Sequence, residues 1–217
     1  MLKTADIVQR IESTGVIAII RASGGGELVE VVRALREGGL TCIEVTMTTP
    51  DALAVIRAAR EAIGDEAAIG VGTVLDAETA RAAILAGAQF VVAPSFDPAT
   101  VGLCRRYGVP VMPGALTPTE IVRAWQAGAD YVKVFPTSSL GPGYIRDLKG
   151  PLPQIRMIPT GGITLDNVAA FIRAGASAVG IGSALVTARA IRERDLAGIR
   201  DAAARWLQAV AEARAGE

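Results

Sequence analysis

Histidine is absent from the 217 residues, which removes several kinds of active site. A Ser-His-Asp triad, a Cys-His pair and a histidine general base are excluded, and so is the commonest zinc ligand. The two cysteines, Cys42 and Cys104, are too few for a disulfide framework or a cysteine-rich metal site. We interpret both as reduced, buried thiols in a cytoplasmic protein, and we expect no metal.

The chain also has few aromatic residues, no excess of either charge and no long apolar run. Aromatic residues make up 4% of the chain and hydrophobic residues 51%, so the core is expected to be aliphatic. Lys and Arg together number 22, as do Asp and Glu, and no basic stripe indicates a nucleic-acid or membrane-surface partner. The uncharged stretch 174–188 is too short to span a bilayer, and the N-terminus lacks the features of a signal peptide. We therefore expect a small-molecule partner.

Short apolar runs alternate with amphipathic stretches, and a glycine repeatedly closes the stretch before the next run. Eight such strands, each followed by a helix, predict a single (β/α)8 barrel domain over residues 1–217, of the TIM-barrel type. A doubly wound open sheet is the alternative. We also predict an extra N-terminal helix over 5–12 and a closing helix that packs Trp206. The predicted strands are 16–20, 41–46, 68–71, 90–93, 109–112, 131–135, 157–160 and 178–181.

In such a barrel, active sites are built at the carboxyl ends of the strands. The residues at these positions are polar or glycine-rich, as a binding site requires. They are Arg21, Glu44, Thr46, Thr73, Pro94, Gly114, Lys133, Phe135, Thr160, Gly161, Gly162, Gly182 and Ser183.

Lys133 is one of only three lysines and interrupts an apolar strand. Strand alternation sends Tyr131, Lys133 and Phe135 to one face and the two valines between them toward the helices, so Lys133 is predicted to point inward. Desolvation there favours the neutral amine, which is a nucleophile. The alternative is a lysine paired with a carboxylate for structural reasons.

Glu44 follows the same logic, because Ile43 and Val45 face the helices while Glu44 and Thr46 face inward. A carboxylate there could act as the general acid or base that histidine would otherwise supply. A simple ion pair with Lys133 uses the same geometry and stays open.

Glycine-rich segments end the last two predicted strands, at 159–163 and 180–185. Backbone N–H groups of such loops can approach an anion closely, and the loops after strands seven and eight are the usual phosphate site of this fold. Ordinary turn glycines are the alternative interpretation.

Taken together, these residues resemble the class I aldolases for 2-keto-3-deoxy-6-phosphogluconate (KDPG) and 4-hydroxy-2-oxoglutarate (KHG). The resemblance runs in family order over nearly the whole chain. Its matching segments are 39–46, 70–75, 87–90, 113–114, 133–136, 159–163 and 182–183.

The resemblance implies a homotrimer that needs no cofactor or metal, because an iminium on Lys133 is the electron sink. Glu44 would transfer protons, through water in cleavage and on the pyruvyl methyl group in condensation. Thr73 would contact the pyruvyl portion between Pro94 and Phe135. Gly161, Gly162, Gly182 and Ser183 would hold the phosphate of a keto-deoxy sugar acid.

One position departs from the best-known members of the family, which carry a carboxylate-binding arginine where this chain has Thr48. We expect Arg21, at the end of the first strand, to replace it. The segment 135–144 also resembles relatives that are specific for the galactonate epimer, so the sugar stays open. A phosphosugar isomerase or epimerase barrel and a non-catalytic oligomeric scaffold are the rival functions, but neither explains both Lys133 and Glu44.

Overall fold

A computed structural model describes residues 2–21 and 27–216, in which strands and helices alternate as the sequence predicts. The strands are β1 (Val16–Ile20), β2 (Cys42–Thr46), β3 (Ala68–Gly72), β4 (Val91–Val92), β5 (Val111–Met112), β6 (Gly114–Ala115), β7 (Val132–Val134), β8 (Met157–Pro159) and β9 (Val179–Ile181). The helices are α1 (Thr4–Thr14), α2 (Leu28–Glu37), α3 (Ala52–Ile63), α4 (Ala77–Leu85), α5 (Pro98–Tyr107), α6 (Pro118–Gln126), α7 (Gly141–Lys149), α8 (Val168–Arg173), α9 (Ala188–Arg192) and α10 (Leu196–Ala215).

All strand pairs are parallel, and they form two curled sheets. One sheet has the order β5-β4-β3-β2-β1-β9, and the other has the order β6-β7-β8. A parallel bridge between Thr160 and Gly180 links the end of β8 to β9. The α/β class with a curled parallel sheet is therefore confirmed.

The predicted strand 109–112 differs from what is observed. The structure has two short strands here, β5 and β6, on either side of Pro113. Proline has no N–H group to donate, so it interrupts the hydrogen-bond ladder. Its carbonyl still accepts a hydrogen bond from the Lys133 N–H, at 2.9 Å. Lys133 consequently lies on the seventh strand instead of the predicted sixth.

The two faces of the strands bury different groups of side chains. Val132 and Val134 belong to the large core between strands and helices, as strand alternation predicts. Tyr131 belongs to a second cluster, here called the inner-face cluster, which α1 completes with Ile7 and Ile11. The other buried members of the inner-face cluster are Ile17, Cys42, Ala68, Phe90, Val92, Met112, Ile158 and Ala178.

The first and last helices are fastened to each other. Arg214 of α10 donates to the carbonyl oxygens of Glu12 and Ser13 at the end of α1, at 2.7 and 3.2 Å, and to that of Ser177. Trp206 is 1% exposed in the core, so its predicted packing role is confirmed. Among the described residues, no helix is both long and apolar enough to cross a membrane.

Candidate active site

A cavity of about 440 Å³ opens at the carboxyl ends of the strands. Apolar residues that the sequence prediction did not single out, such as Ile19 and Ile163, also line it. Strand alternation from Arg21 could have indicated Ile19. The predicted site residues that line the cavity are Arg21, Thr73, Pro94, Lys133, Phe135, Thr160, Gly161, Gly162, Gly182 and Ser183.

Lys133 lies at the base of this cavity and is 7% exposed. Its Nζ is 5.1 Å from the centroid of the Phe135 ring, which is a cation–π distance when the amine is charged. Because Lys133 is on a strand, the paired backbones of β6 and β8 fix the direction of its side chain. The amine is thus aimed into the cavity from a rigid base.

Glu44 lies one layer deeper, on β2, and is 1% exposed. A void of about 10 Å³ lies between Glu44, Lys133, Thr160 and Gly180. That volume is about what one water molecule requires. The Oε1 atom of Glu44 is buried and has no hydrogen-bond partner among the described residues, so this oxygen is available to a ligand or to water.

The missing side chain of Gly72 makes room for the Glu44 carboxylate. A Cβ atom at Gly72 would lie 1.6 Å from Oε1 of Glu44, far inside any allowed contact. Burial raises the pKa of Glu44, while the positive charges of Lys133 and Arg21 act in the opposite direction. A carboxyl group with a raised pKa is a stronger base than a free carboxylate, which suits a group that accepts a proton and later returns it.

Two of the predicted strand-end residues, Gly114 and Thr46, line neither the cavity nor the void beneath it, and Thr46 is the one that carries a side chain. It is fully buried at the end of β2, and its hydroxyl lies 2.9 Å from the hydroxyl of Thr48. Thr73, by contrast, reaches the cavity with a backbone φ of 59°, an uncommon conformation for a residue other than glycine. Such strained residues cluster at functional sites.

The wall after β8 is a tight turn at Gly161 and Gly162, which have φ angles of 98° and 74°. No described residue accepts a hydrogen bond from the N–H group of Gly162, Ile163 or Ser183, although all three line the cavity. Free N–H groups that converge on one cavity form a site for an anion.

Sequence reasoning missed Thr137, which is 1% exposed and hydrogen-bonded to this turn. Only its position just after Lys133-Val134-Phe135-Pro136 could have drawn attention to it. Within residues 2–21 and 27–216, no three Cys, Asp or Glu side chains are grouped closely enough to hold a metal ion.

Known proteins are similar in sequence to this chain over most of its length. The family model described as "Aldolase: KDPG and KHG aldolase" matches residues 7–202. The 2-dehydro-3-deoxy-phosphogluconate aldolase of Treponema pallidum is 38% identical over 205 residues, which cover 94% of this chain and 97% of the relative. The 2-dehydro-3-deoxy-6-phosphogalactonate aldolase of Escherichia coli K12 is 38% identical over 179 residues, with 82% and 87% coverage.

The fold is also found among solved structures. A cube-shaped protein cage, designed by fusing symmetric oligomeric domains, contains a chain that is 35% identical and has a TM-score of 0.87. The match covers 93% of this chain and 73% of the cage chain. Since the family model spans most of the sequence and several relatives exceed 30% identity, the chain belongs to the KDPG and KHG aldolase family.

Proposed function

We propose that the protein is a class I aldolase that reversibly cleaves KDPG to pyruvate and D-glyceraldehyde 3-phosphate. The same site would cleave KHG to pyruvate and glyoxylate. The observation that carries this proposal is the pairing of a buried amine with a buried carboxylate. Lys133 and Glu44 border one small void directly beneath a cavity of substrate size.

In the first step, the neutral Lys133 amine attacks the C2 carbonyl carbon of the substrate. Loss of water then leaves an iminium, which attracts electrons toward C2. The next step needs both residues. The Glu44 carboxylate removes a proton from the substrate, and the iminium on Lys133 accepts the electron pair of the bond that breaks.

Glu44 then removes the proton of the C4 hydroxyl, through a water molecule in the void, and the C3–C4 bond breaks. The aldehyde departs, and the electron pair of the broken bond forms an enamine on Lys133. Glu44 returns the proton to C3, and hydrolysis releases pyruvate and the free amine. The raised pKa of Glu44 suits a group that takes up and returns one proton in each turnover.

The substrate carboxylate would bind Arg21. This residue lines the cavity at the end of β1, the strand next to β2, and its positive charge acts to lower the pKa of Glu44. Thr48 is uncharged and its hydroxyl contacts that of Thr46, so position 48 provides no positive charge for the substrate carboxylate. The substrate phosphate would bind at Gly161, Gly162, Gly182 and Ser183, and Thr73, Pro94, Phe135 and Thr160 would enclose the remaining atoms.

Borohydride trapping tests the mechanism. Incubation with pyruvate and borohydride should add one reduced pyruvyl group, and peptide mapping should place it on Lys133 instead of on Lys3 or Lys149. Lys133→Ala should lose both the adduct and turnover, whereas Glu44→Gln should slow turnover and still form the adduct. A wild-type protein that binds pyruvate without forming an adduct would refute the Schiff base.

A second candidate substrate is the C4 epimer, 2-keto-3-deoxy-6-phosphogalactonate. The specific reason is that the named galactonate and gluconate relatives are equally identical to this chain, at 38%. Both epimers would use the same Lys133 chemistry and would differ only in how C4 is presented to Glu44. Measurement of kcat/KM for each epimer, over the same pH range, decides between them.

We further propose a closed eight-stranded barrel, one domain over residues 1–217 and a homotrimer. Two observations support closure: only Pro113 separates β5 from β6, and the Thr160–Gly180 bridge links β8 to β9. The homotrimer is proposed from the family resemblance, and the similar cage chain comes from an assembly of symmetric oligomeric domains. Light scattering after size-exclusion chromatography measures the mass, and a monomeric mass would refute the trimer.

A further inference from the structure

We propose that Thr137 and Asn167 are positioning residues that aim the backbone N–H groups of the Gly161–Gly162 turn at the substrate phosphate. This inference rests on the proposed function, since it assumes that a phosphorylated substrate occupies the cavity. Neither side chain lines the cavity, so both would act through the backbone of the turn.

Thr137 reaches the turn from the loop after β7. Its hydroxyl oxygen lies 2.8 Å from the carbonyl oxygen of Gly161 and 3.1 Å from that of Thr160. Its backbone N–H also donates to the Thr160 carbonyl, at 3.0 Å. Because the side chain is 1% exposed, water cannot readily replace the hydroxyl in these contacts.

Asn167 holds the other side of the turn. Its Nδ2 atom donates to the Gly162 carbonyl at 3.0 Å, and its Oδ1 atom accepts from the Thr164 N–H at 2.9 Å. Thr137 therefore holds the Gly161 carbonyl from the loop after β7, and Asn167 holds the Gly162 carbonyl from the N-terminal end of α8.

Because the peptide unit is planar, the hydrogen bonds to the Gly161 and Gly162 carbonyls also set the direction of the N–H groups that follow them. In a trans peptide unit, the C=O and the N–H of the following residue point in opposite directions. The hydrogen bond from Thr137 to the Gly161 carbonyl thus turns the Gly162 N–H away from Thr137. The bond from Asn167 to the Gly162 carbonyl likewise turns the Ile163 N–H away from Asn167.

Both of these N–H groups belong to residues that line the cavity, and no described residue accepts from either. Gly161 and Gly162 both have positive φ angles, and glycine moves easily between backbone regions. Two side-chain tethers on consecutive carbonyls limit that freedom. The donors are then already oriented when the phosphate arrives, so less ordering is required on binding.

The test compares phosphate-dependent and phosphate-independent readouts in the same variants. Thr137→Val keeps the side-chain shape and removes the hydroxyl, while Thr137→Ser restores the hydroxyl. Ser139→Ala removes an exposed hydroxyl from the same loop and is the matched control. Asn167→Ala, on the far side of the turn, provides a second variant should Thr137→Val fold poorly.

Calorimetric titration with inorganic phosphate measures the anion site directly. Loss of one hydrogen bond should weaken phosphate binding by Thr137→Val about 3- to 10-fold, with a similar rise in KM for the phosphorylated substrate. Exchange of the pyruvate methyl protons with D2O involves no phosphate, and its rate should change less than about 2-fold. Thr137→Ser and Ser139→Ala should match wild type in both readouts.

The outcomes separate this inference from the proposed function. Equal losses in phosphate binding and pyruvate exchange would show a general structural defect and overturn the positioning role. Unchanged phosphate affinity in both Thr137→Val and Asn167→Ala would overturn it as well, as would a wild-type protein that binds no phosphate. If wild type binds phosphate but exchanges no pyruvate protons, the aldolase mechanism fails, whereas weaker phosphate binding by Thr137→Val still supports the positioning role.

Discussion

Replacement of Gly72 by alanine should disable proton transfer without removing either reactive side chain. Gly72 ends β3 beside β2, and the Glu44 carboxylate occupies the place of the absent Cβ. Its φ lies outside the left-handed region, so alanine imposes no backbone strain at this position. The three atoms nearest to the added methyl group all belong to Glu44, so the substitution acts first on that side chain.

The size of the effect follows from the distances. The new Cβ would lie 1.6 Å from Oε1 and 2.2 Å from Cδ of Glu44, whereas an ordinary contact begins near 3.4 Å. The carboxylate must move by about 2 Å, and a displacement of about 1 Å at a reacting group can cost about 100-fold in rate. We therefore expect kcat to fall by about 100-fold or more. Overpacking should also lower the free energy of unfolding by about 1–3 kcal/mol.

Exchange of the pyruvate methyl protons, followed by NMR in D2O, measures proton transfer, and borohydride trapping measures imine formation. Gly72→Ala should lose exchange and keep trapping on Lys133. Gly102→Ala is the matched control, because its new Cβ would meet only Arg106, at an ordinary 3.6 Å, on the surface of α5. Exchange in Gly72→Ala within about 3-fold of wild type would refute the assignment of proton transfer to Glu44 in this position.

Two further predictions concern Arg21 and the titration of Glu44. Arg21→Ala should raise KM for pyruvate-like substrates by about 30-fold, as expected for loss of a charge-assisted bidentate contact of about 2 kcal/mol. Arg57→Ala, at an exposed arginine on α3, should leave KM unchanged, and an unchanged KM in Arg21→Ala would show that the carboxylate binds elsewhere. Because burial raises the pKa of Glu44 above 4.5, its stabilising contribution is complete below pH 4.5 and declines as pH rises through the folded-state value. Urea unfolding over this range should show that decline in wild type and a flatter profile in Glu44→Gln, and parallel profiles would contradict the raised pKa.

The sequence predicted the inward direction of Lys133 and Glu44 because a strand alternates its side chains over very short distances. Tyr131, in the inner-face cluster, and Val132, in the helix-facing core, follow the same rule. Thr46 shares a face with Glu44 by this rule, yet it lies outside the cavity. Thr46 is still part of β2 and pairs with Gly72, but its hydroxyl contacts that of Thr48, a contact in the following turn that strand alternation does not describe.

Two other features depend on contacts between distant parts of the chain. Thr137 meets Gly161 across 24 positions, and no local pattern distinguishes its hydroxyl from those of the neighbouring serines. The void beside Glu44 is lined in part by Thr160 and Gly180, which a parallel bridge joins from separate parts of the chain. The division between β5 and β6 is different, since Pro113 was visible in the sequence and its missing N–H could have indicated the break.

The packing of α1 against the inner-face cluster has a consequence for the order of events in turnover. Ile7 and Ile11 are buried against the end of the strands that lies opposite the cavity, and Tyr131 lies there two residues before Lys133. Under the proposed mechanism, pyruvate occupies the depth of a blind-ended site while the phosphorylated half lies nearer the mouth. Condensation then follows an ordered sequence in which pyruvate binds first, and cleavage releases the aldehyde before the keto acid.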